Sequence, residues 1–336
     1  MANCNKLFVD FSKVITPSLE EMQKMKTSRK ALEKKIVDKI KDKLGVTPLF
    51  YTQGSGAKRM KTIIIKENGT YDADRGVYLP AKPDVSAKTV QTYVYDAVKD
   101  HTDGGAEHRK KCIRVYYKGA YNIDFPVYYQ VDGETYSYLA IKTDGWIKDD
   151  PEQMIIWLEN YKDDAGQFVR VIKYLKAWAS KCPFKTPSGI ALAVWAAHNF
   201  SEEKDRDDKC LLKVLKAIKA SFWWTISCPS PVEPFDDLIS KLDDDQKEKF
   251  KSALGDFIAD AEKAVEETNQ LKASKYWRKH LGNRFPEGLD EDVDKRMNSL
   301  LSTAATVLSS SAKLSSTGAI NSISGVQHQI HRNYGK

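Results

Sequence analysis

The stretch Tyr71-Asp72-Ala73-Asp74-Arg75-Gly76-Val77-Tyr78 alternates its chemistry residue by residue. On a strand, residues two apart share a face. Asp72 and Asp74 therefore project side by side, while Ala73, Arg75, Val77 and Leu79 turn the other way. Two carboxylates that close repel, and their ionised state is costly without a cation between them. Oxygen-only ligands favour Mg²⁺ or Mn²⁺ over zinc. Fifty positions later Asp124 sits in Tyr121-Asn122-Ile123-Asp124-Phe125-Pro126-Val127-Tyr128, which is also strand-like. A third acid on a neighbouring strand would complete a cradle for two metal ions. Taken alone, an acidic pair at a strand end reads more readily as a solvated edge. The meaning of this pair depends on its surroundings.

Upstream, residues 17–44 carry Leu19, Met22, Met25, Leu32, Ile36, Ile40 and Leu44 at helical steps, with Lys and Glu between them. Ser18 with Glu21 offers an N-terminal cap, and Gly45 with Pro48 ends the helix. A short apolar run at 49–52 breaks at Gln53-Gly54-Ser55-Gly56, a turn that leads into Ala57-Lys58-Arg59. Backbone N–H groups at such a turn, with a hydroxyl and cations beside them, suit a phosphate. Strands are expected at 62–66, 71–79, 112–117 and 121–131, the last two joined as a hairpin at Lys118-Gly119. Beyond residue 151 the pattern turns helical, at 152–161, 166–180, 187–200, 206–222, 235–242, 244–272 and 273–281. Strands followed by helices imply an α+β lobe leading into a helical lobe.

The 336 residues are enough for one large core or two closely packed lobes. Hydrophobic residues make up 41% and charged ones 29%, the balance of a globular protein, and no apolar run approaches the roughly 20 residues that span a bilayer. Residues 1–13 lack the basic and apolar regions of an export signal. Cys4, Cys112, Cys182, Cys210 and Cys228 are scattered and never spaced as CxxC, which argues against a zinc site or disulfide framework and for a reducing cytoplasm. The net charge of +7 suits nucleotides or nucleic acid and equally suits plain solubility. From 299 to 336 a Ser-rich tail reads as a flexible end. It carries His328 and His331 three apart, which a solvated tail explains better than a metal site.

The order Gln53-Gly54-Ser55, then Asp72 and Asp74, then a lone strand Asp124, resembles the polymerase-β-type nucleotidyltransferase superfamily. Gly76-Val77-Tyr78 after the second aspartate narrows the resemblance to its bacterial cGAS/DncV-like (CD-NTase) family. Three later segments agree. Phe168 to Trp178 resembles that family's helix bearing a triphosphate-binding lysine, with Lys173 at the matching position. Lys185-Thr186-Pro187-Ser188-Gly189 resembles the turn whose serine contacts phosphate. Tyr276-Trp277-Arg278 through Arg284-Phe285-Pro286 resembles a segment near the family's C-terminus. The resemblance covers roughly residues 45–290. Gly56-Ala57-Lys58 departs from it, standing where an aromatic or Arg-containing stretch is usual.

The resemblance implies a nucleotidyltransferase core over 1–150, including the long N-terminal helix, a helical lobe closing the cleft over 151–298, and the tail. It implies catalytic and metal-holding roles for Asp72, Asp74 and Asp124, with two Mg²⁺ or Mn²⁺ ions. Nucleotide contacts fall to Gln53, Gly54, Ser55, Lys58, Lys173 and Ser188. Activity would be the synthesis of cyclic di- or trinucleotides from nucleoside triphosphates, with the product acting on a separate effector in antiphage defence. A ubiquitin-transfer-like partner at the C-terminus is also implied, although Lys336 follows Gly335. The zinc insertion of the animal synthase is absent, so neither zinc nor a double-stranded DNA requirement is expected. Three other readings remain: transfer to a small molecule or RNA 3′ end, a catalytically silent nucleotide-binding module, and a Ca²⁺-stabilised domain. The last lacks the longer loop of oxygen ligands typical of calcium.

Overall fold

The structure, a computed structural model, describes residues 2–131, 133–134, 136–292, 300–305, 307, 313–315, 317–318, 320–321 and 325–327. His328, His331, Gly335 and Lys336 lie outside the described residues, as does much of the Ser-rich tail. Within that tail, three two-residue strands, Lys313–Leu314, Ile320–Asn321 and Val326–Gln327, form a small antiparallel sheet.

In chain order the elements are α1 (Asn5–Val14), α2 (Leu19–Leu44), β1 (Leu49–Gln53), β2 (Tyr71–Leu79), α3 (Ala87–Val98), β3 (Ala106–His108), β4 (Ile113–Tyr117), β5 (Tyr121–Phe125), β6 (Val127–Tyr129), β7 (Ser137–Ile141) and β8 (Gly145–Asp149). Helices follow: α4 (Pro151–Glu159), α5 (Gln167–Lys181), α6 (Gly189–Asn199), α7 (Asp207–Ser221), α8 (Asp244–Glu266) and α9 (Gln270–Leu281). This is the α+β class expected, a mixed sheet followed by a helical assembly.

β1 to β8 form one eight-stranded sheet in the order β3-β4-β5-β2-β6-β7-β8, with β1 paired antiparallel to β2. β5 and β6 run parallel to β2 in one constant register, Tyr71 beside Tyr121 and Val77 beside Val127. Pro126 interrupts them because it has no N–H to give a ladder, yet its carbonyl still accepts from Val77 N at 2.9 Å. The odd residues of β2, Tyr71, Ala73, Val77 and Leu79, are buried against Met25, Leu32, Ile36 and Ile40 of α2 and Val90, Val94 and Val98 of α3. Arg75 shares that face and reaches Glu33 of α2 at 2.6 Å. The even residues are thereby forced onto the opposite face.

α2 has the ends its sequence predicts. Ser18 Oγ accepts from Glu21 N, the Glu21 carboxylate accepts from Ser18 N, and Gly45 closes the helix with φ of 69°. Its first residue, Leu19, is 91% exposed and belongs to no core.

The helical elements enclose a second core in which Tyr174, Phe8, Phe11, Phe168, Phe250, Phe257, Phe285 and Trp277 are fully buried. α1 packs here, with Phe8 edge-on to Tyr174 and Trp277, although its sequence neighbours build the sheet lobe. The expected strand at 62–66 is irregular and joins no ladder. Its polar groups go elsewhere: Thr62 O accepts from Lys176 Nζ at 2.6 Å, Ile65 N donates to Ile15 O at 2.7 Å, and Ile65 O accepts from Arg284 at 2.8 Å. The expected helix at 235–242 is a run of turns, with Asp237 Oδ1 accepting from Cys228 N and Ile239 N in place of a helical ladder. The long helix expected over 244–272 stops at Glu266, and a new one begins at Gln270 behind the Asn269 cap. Among the described residues no helix is long and apolar enough to cross a membrane.

Candidate active site

A cleft of about 680 Å³ lies between the even face of the sheet and the helices. Asp72, Asp74, Asp124, Gln53, Gly54, Ser55 and Ser188 all line it. The strand register decides the carboxylate arrangement. Asp74 pairs directly with Asp124 across β2 and β5, and Asp72 pairs with Asn122, whose Nδ2 donates to Asp72 Oδ1 at 2.8 Å. Neighbours in a parallel pair present their side chains to one face, so the three acids share the cleft wall.

The Gly54-Ser55-Gly56 turn sits against this cluster. Gly54 holds φ of +56°, and a Cβ there would lie 2.7 Å from Asp74 Oδ2. Only glycine allows both the left-handed backbone and the close approach. Gln53 is buried and donates to the Tyr78 hydroxyl, which fixes the end of β1 before the turn. Ser188 caps α6, its Oγ accepting from Ala191 N at 3.3 Å, so the N-terminus of that helix opens on the cleft.

Cations interleave with the acids. Arg114, opposite Asp124 on β4, donates Nε to Oδ1 at 2.7 Å and Nη2 to Oδ2 at 2.6 Å. The same Nη2 lies 3.6 Å from Asp72 Oδ2, and Lys66 is bonded to that oxygen. Burial works to raise the Asp72 carboxyl, but Arg114 and Lys66 outweigh it and hold it below the ordinary carboxylate range. Asp74 has no such close partner. Burial, then the charges of Asp124 and Asp72, push it up to about 7. Lys176, within the field of Asp74, is pushed down to about 8 by its own burial.

The pH dependence follows from the direction of the Asp74 shift. A carboxyl raised on folding favours the folded chain at low pH and loses that contribution as pH rises through its folded value, about 7 here. In metal-free buffer, Asp74→Asn is therefore expected to raise the thermal midpoint. The gain grows between about pH 4 and 7 and levels off above, since the free carboxyl titrates near 4. Thermal melts at pH 4, 6 and 8 check this, and an equal change at all three pH values contradicts it.

The donor chemistry fits Mg²⁺ or Mn²⁺: three carboxylates from two adjacent strands, on one face, against a phosphate-sized turn. As they stand, however, Asp124 is engaged with Arg114 and Asp72 with Lys66. Among the described residues no three His, Cys, Asp or Glu side chains converge as a ready metal cage.

Two expected nucleotide contacts are placed elsewhere. Lys58 is exposed and is not part of the cleft wall. Lys173 is buried and donates to Thr16 Oγ1 at 2.9 Å, away from the cleft. Lys176, one turn further along α5, lines the cleft in its place. Sequence reasoning also missed Arg114 and Lys66. The hairpin at Lys118-Gly119 was the signal for Arg114, because that turn sets Arg114 opposite Asp124.

A sheet bearing three aspartates on one face, a Gly-Ser turn and a helical lobe across the cleft make a two-lobed fold with an acidic cleft. Residues 48–128 match the family described as cyclic GMP-AMP synthase DncV-like, nucleotidyltransferase domain. The cyclic AMP-AMP-AMP synthase of an Acinetobacter sp. is 26% identical over 155 residues, 44% of this chain and 45% of that protein, so the match spans under half the relative's length. The Vibrio cholerae DncV cyclic AMP-GMP synthase with the linear intermediate 5′ pppA(3′,5′)pG superposes with a TM-score of 0.74 at 18% identity, covering 85% of this chain and 97% of that one. The Escherichia coli DncV in its 3′-deoxy GTP bound form gives 0.69 at 16% identity, covering 81% and 93%. At such identities the structural likeness is one of fold. The match to the DncV-like nucleotidyltransferase family thus covers the stretch of the sheet lobe that carries the three aspartates.

Proposed function

We propose that the chain joins nucleoside triphosphates into cyclic di- or trinucleotides. The observation that carries this is the register of Asp74 beside Asp124, with the Gly54-Ser55 turn packed on Asp74 and Lys176 across the cleft. The solved relatives hold GTP analogues and a linear dinucleotide intermediate, and the Acinetobacter relative is named for a cyclic trinucleotide.

The donor triphosphate would lie with its β- and γ-phosphates against the Gly54-Ser55 turn, the start of α6 at Ser188, and Lys176 and Lys66. Asp72, Asp74 and Asp124 would hold Mg²⁺ or Mn²⁺, which supplies charge neutralisation at the phosphates and a more acidic acceptor hydroxyl. The acceptor oxygen attacks the α-phosphorus in line, the bond to the β-phosphate oxygen breaks, and pyrophosphate leaves. A second such transfer, or a third for a trinucleotide, closes the ring. Positioning and electrostatics supply most of the rate, since the side chains form no covalent bond to the nucleotide.

By family analogy the product serves as a second messenger for a separate effector in antiphage defence, within the cytoplasm. The five free thiols suit a reducing compartment. A ubiquitin-transfer-like partner acting on the C-terminus belongs to the same analogy.

Lys173 and Lys176 of α5 have different partners, Thr16 Oγ1 and the Thr62 carbonyl. Lys176→Ala is expected to raise KM for nucleotide about tenfold or more, because a charge-assisted phosphate contact is lost. Lys173→Ala should leave KM within about twofold, since its partner is Thr16. Steady-state kinetics on both variants decides, and the reverse order contradicts the Lys176 assignment. The function itself is tested by pyrophosphate release with ribonucleoside triphosphates and Mg²⁺ or Mn²⁺ as the only additions. Release is expected. Pyrophosphate appearing only when an RNA or small hydroxyl acceptor is supplied would instead favour tagging of that acceptor.

A further inference from the structure

Arg114 is placed where a metal ion would compete with it. Its guanidinium engages both oxygens of Asp124, at 2.7 and 2.6 Å, and its Nη2 also stands 3.6 Å from Asp72. The arrangement is built in rather than incidental. Arg114 and Asp124 are cross-strand partners in the β4–β5 ladder, and their side chains are only 14% and 10% exposed. A planar fork that matches both carboxylate oxygens is the strongest form of such a contact. Lys66 is bonded to that same Asp72 oxygen, Oδ2, and Asn122 Nδ2 donates to the other at 2.8 Å.

Around Asp72, Asp74 and Asp124 stand three cations, Arg114, Lys66 and Lys176, while Lys111, Asp149, Asp150, Glu233 and Asp236 line the rest of the cleft. Divalent ions entering alone would displace the fork and leave its positive charge, with their own, in a shielded cleft, an arrangement that is heavily penalised. A triphosphate entering with them brings the compensating negative charge. It also brings oxyanions that the released guanidinium can bond in the same forked way.

We propose that Arg114 is a positioning residue that occupies the carboxylate cluster until a nucleoside triphosphate arrives, so that divalent metal and triphosphate bind as a cooperative pair. This rests on the assignment of the three aspartates as the metal-holding groups. In linkage terms, each ligand tightens the other by the same factor, and Arg114 sets much of that factor.

The test is a titration of the full chain with Mn²⁺ followed by electron paramagnetic resonance, with and without a non-hydrolysable ATP or GTP analogue and with a protein-free nucleotide control. For the wild type, the analogue is expected to tighten Mn²⁺ about tenfold or more, the scale of a charged hydrogen-bonded contact. In Arg114→Gln, Mn²⁺ alone binds about tenfold tighter than to the wild type, and the enhancement by the analogue shrinks accordingly. Arg114→Lys, which keeps the charge without the fork, falls between the two. It serves as the comparison should the Gln variant lose its circular-dichroism melt. Metal affinity unchanged in both variants, or equal in the wild type with and without analogue, overturns the proposal. Asp72→Asn with Asp74→Asn is run beside them. If that pair of changes leaves nucleotide-dependent Mn²⁺ binding intact, the aspartate assignment fails, a different result from failure of the Arg114 role.

Discussion

Replacing Asp72 and Asp74 together by Asn is expected to lower nucleotidyl transfer by about 10³-fold or more, because electrostatic stabilisation of the transferring phosphoryl group is the main catalytic term. The fold should survive. Both side chains occupy the even face of β2, whereas the core lies under its odd residues. Lys66 loses a charged partner but is 36% exposed and can be solvated, and Arg114 keeps Asp124. Removing the raised carboxyl of Asp74 should even stabilise the chain above pH 7, the usual trade between an active site and stability. Turnover within about tenfold of the wild type, in a protein with an unchanged melt, would sink the three-acid assignment.

The largest expected effect on stability lies far from these acids, at Asp207. This residue is fully buried and accepts from four groups: Gln167 Nε2 at 2.9 Å, Arg170 Nε at 2.6 Å, Arg170 Nη2 at 2.9 Å and the Tyr174 hydroxyl at 2.7 Å. Its backbone N–H donates to Asn5 Oδ1 at 2.9 Å, so one residue ties α7 to α5 and α1. Asp207→Ala leaves the Arg170 charge without its carboxylate, while the Tyr174 hydroxyl falls back on the Phe8 carbonyl at 2.9 Å. Breaking a buried pair from one side costs about 3–5 kcal/mol, which denaturant unfolding can resolve. A loss below about 1 kcal/mol would mean that water or a neighbour takes the vacated place. Because α5 carries Lys176, the same variant should also bind nucleotide more weakly before it unfolds.

How much of this was legible in the chain varies with the kind of signal. The two-residue alternation around Asp72 and Asp74, and the capping box at Ser18 and Glu21, are local, and the structure reproduces both. The hairpin at Lys118-Gly119 was also local, and carrying its register three pairs further would have found Arg114 opposite Asp124. The choice between Lys173 and Lys176 was not local. Lys173 and Lys176 both belong to the polar side of α5, and Lys173 is buried all the same, so the helix sequence does not mark which lysine meets the cleft. That is settled by the 62–66 segment, whose Thr62 carbonyl takes Lys176 and which forms no ladder of its own. α1 is short, and its docking beside Tyr174 and Trp277 is a tertiary event its ten residues do not announce. Leu238, Ile239 and Leu242 have helical spacing, but Asp237 captures the nearby N–H groups and the segment turns instead.

The proposed ring-forming transfer at Asp72, Asp74 and Asp124 is tested most directly by mass spectrometry of the reaction product. Purified full-length chain is incubated with the four ribonucleoside triphosphates and Mg²⁺ or Mn²⁺, then treated with phosphatase. The expected product resists phosphatase and has the mass of two or three nucleoside monophosphates less one water for each, and it is missing from the Asp72→Asn, Asp74→Asn protein. Recovery of only nucleosides from the wild type, or the same cyclic product from the doubly substituted protein, would contradict the account.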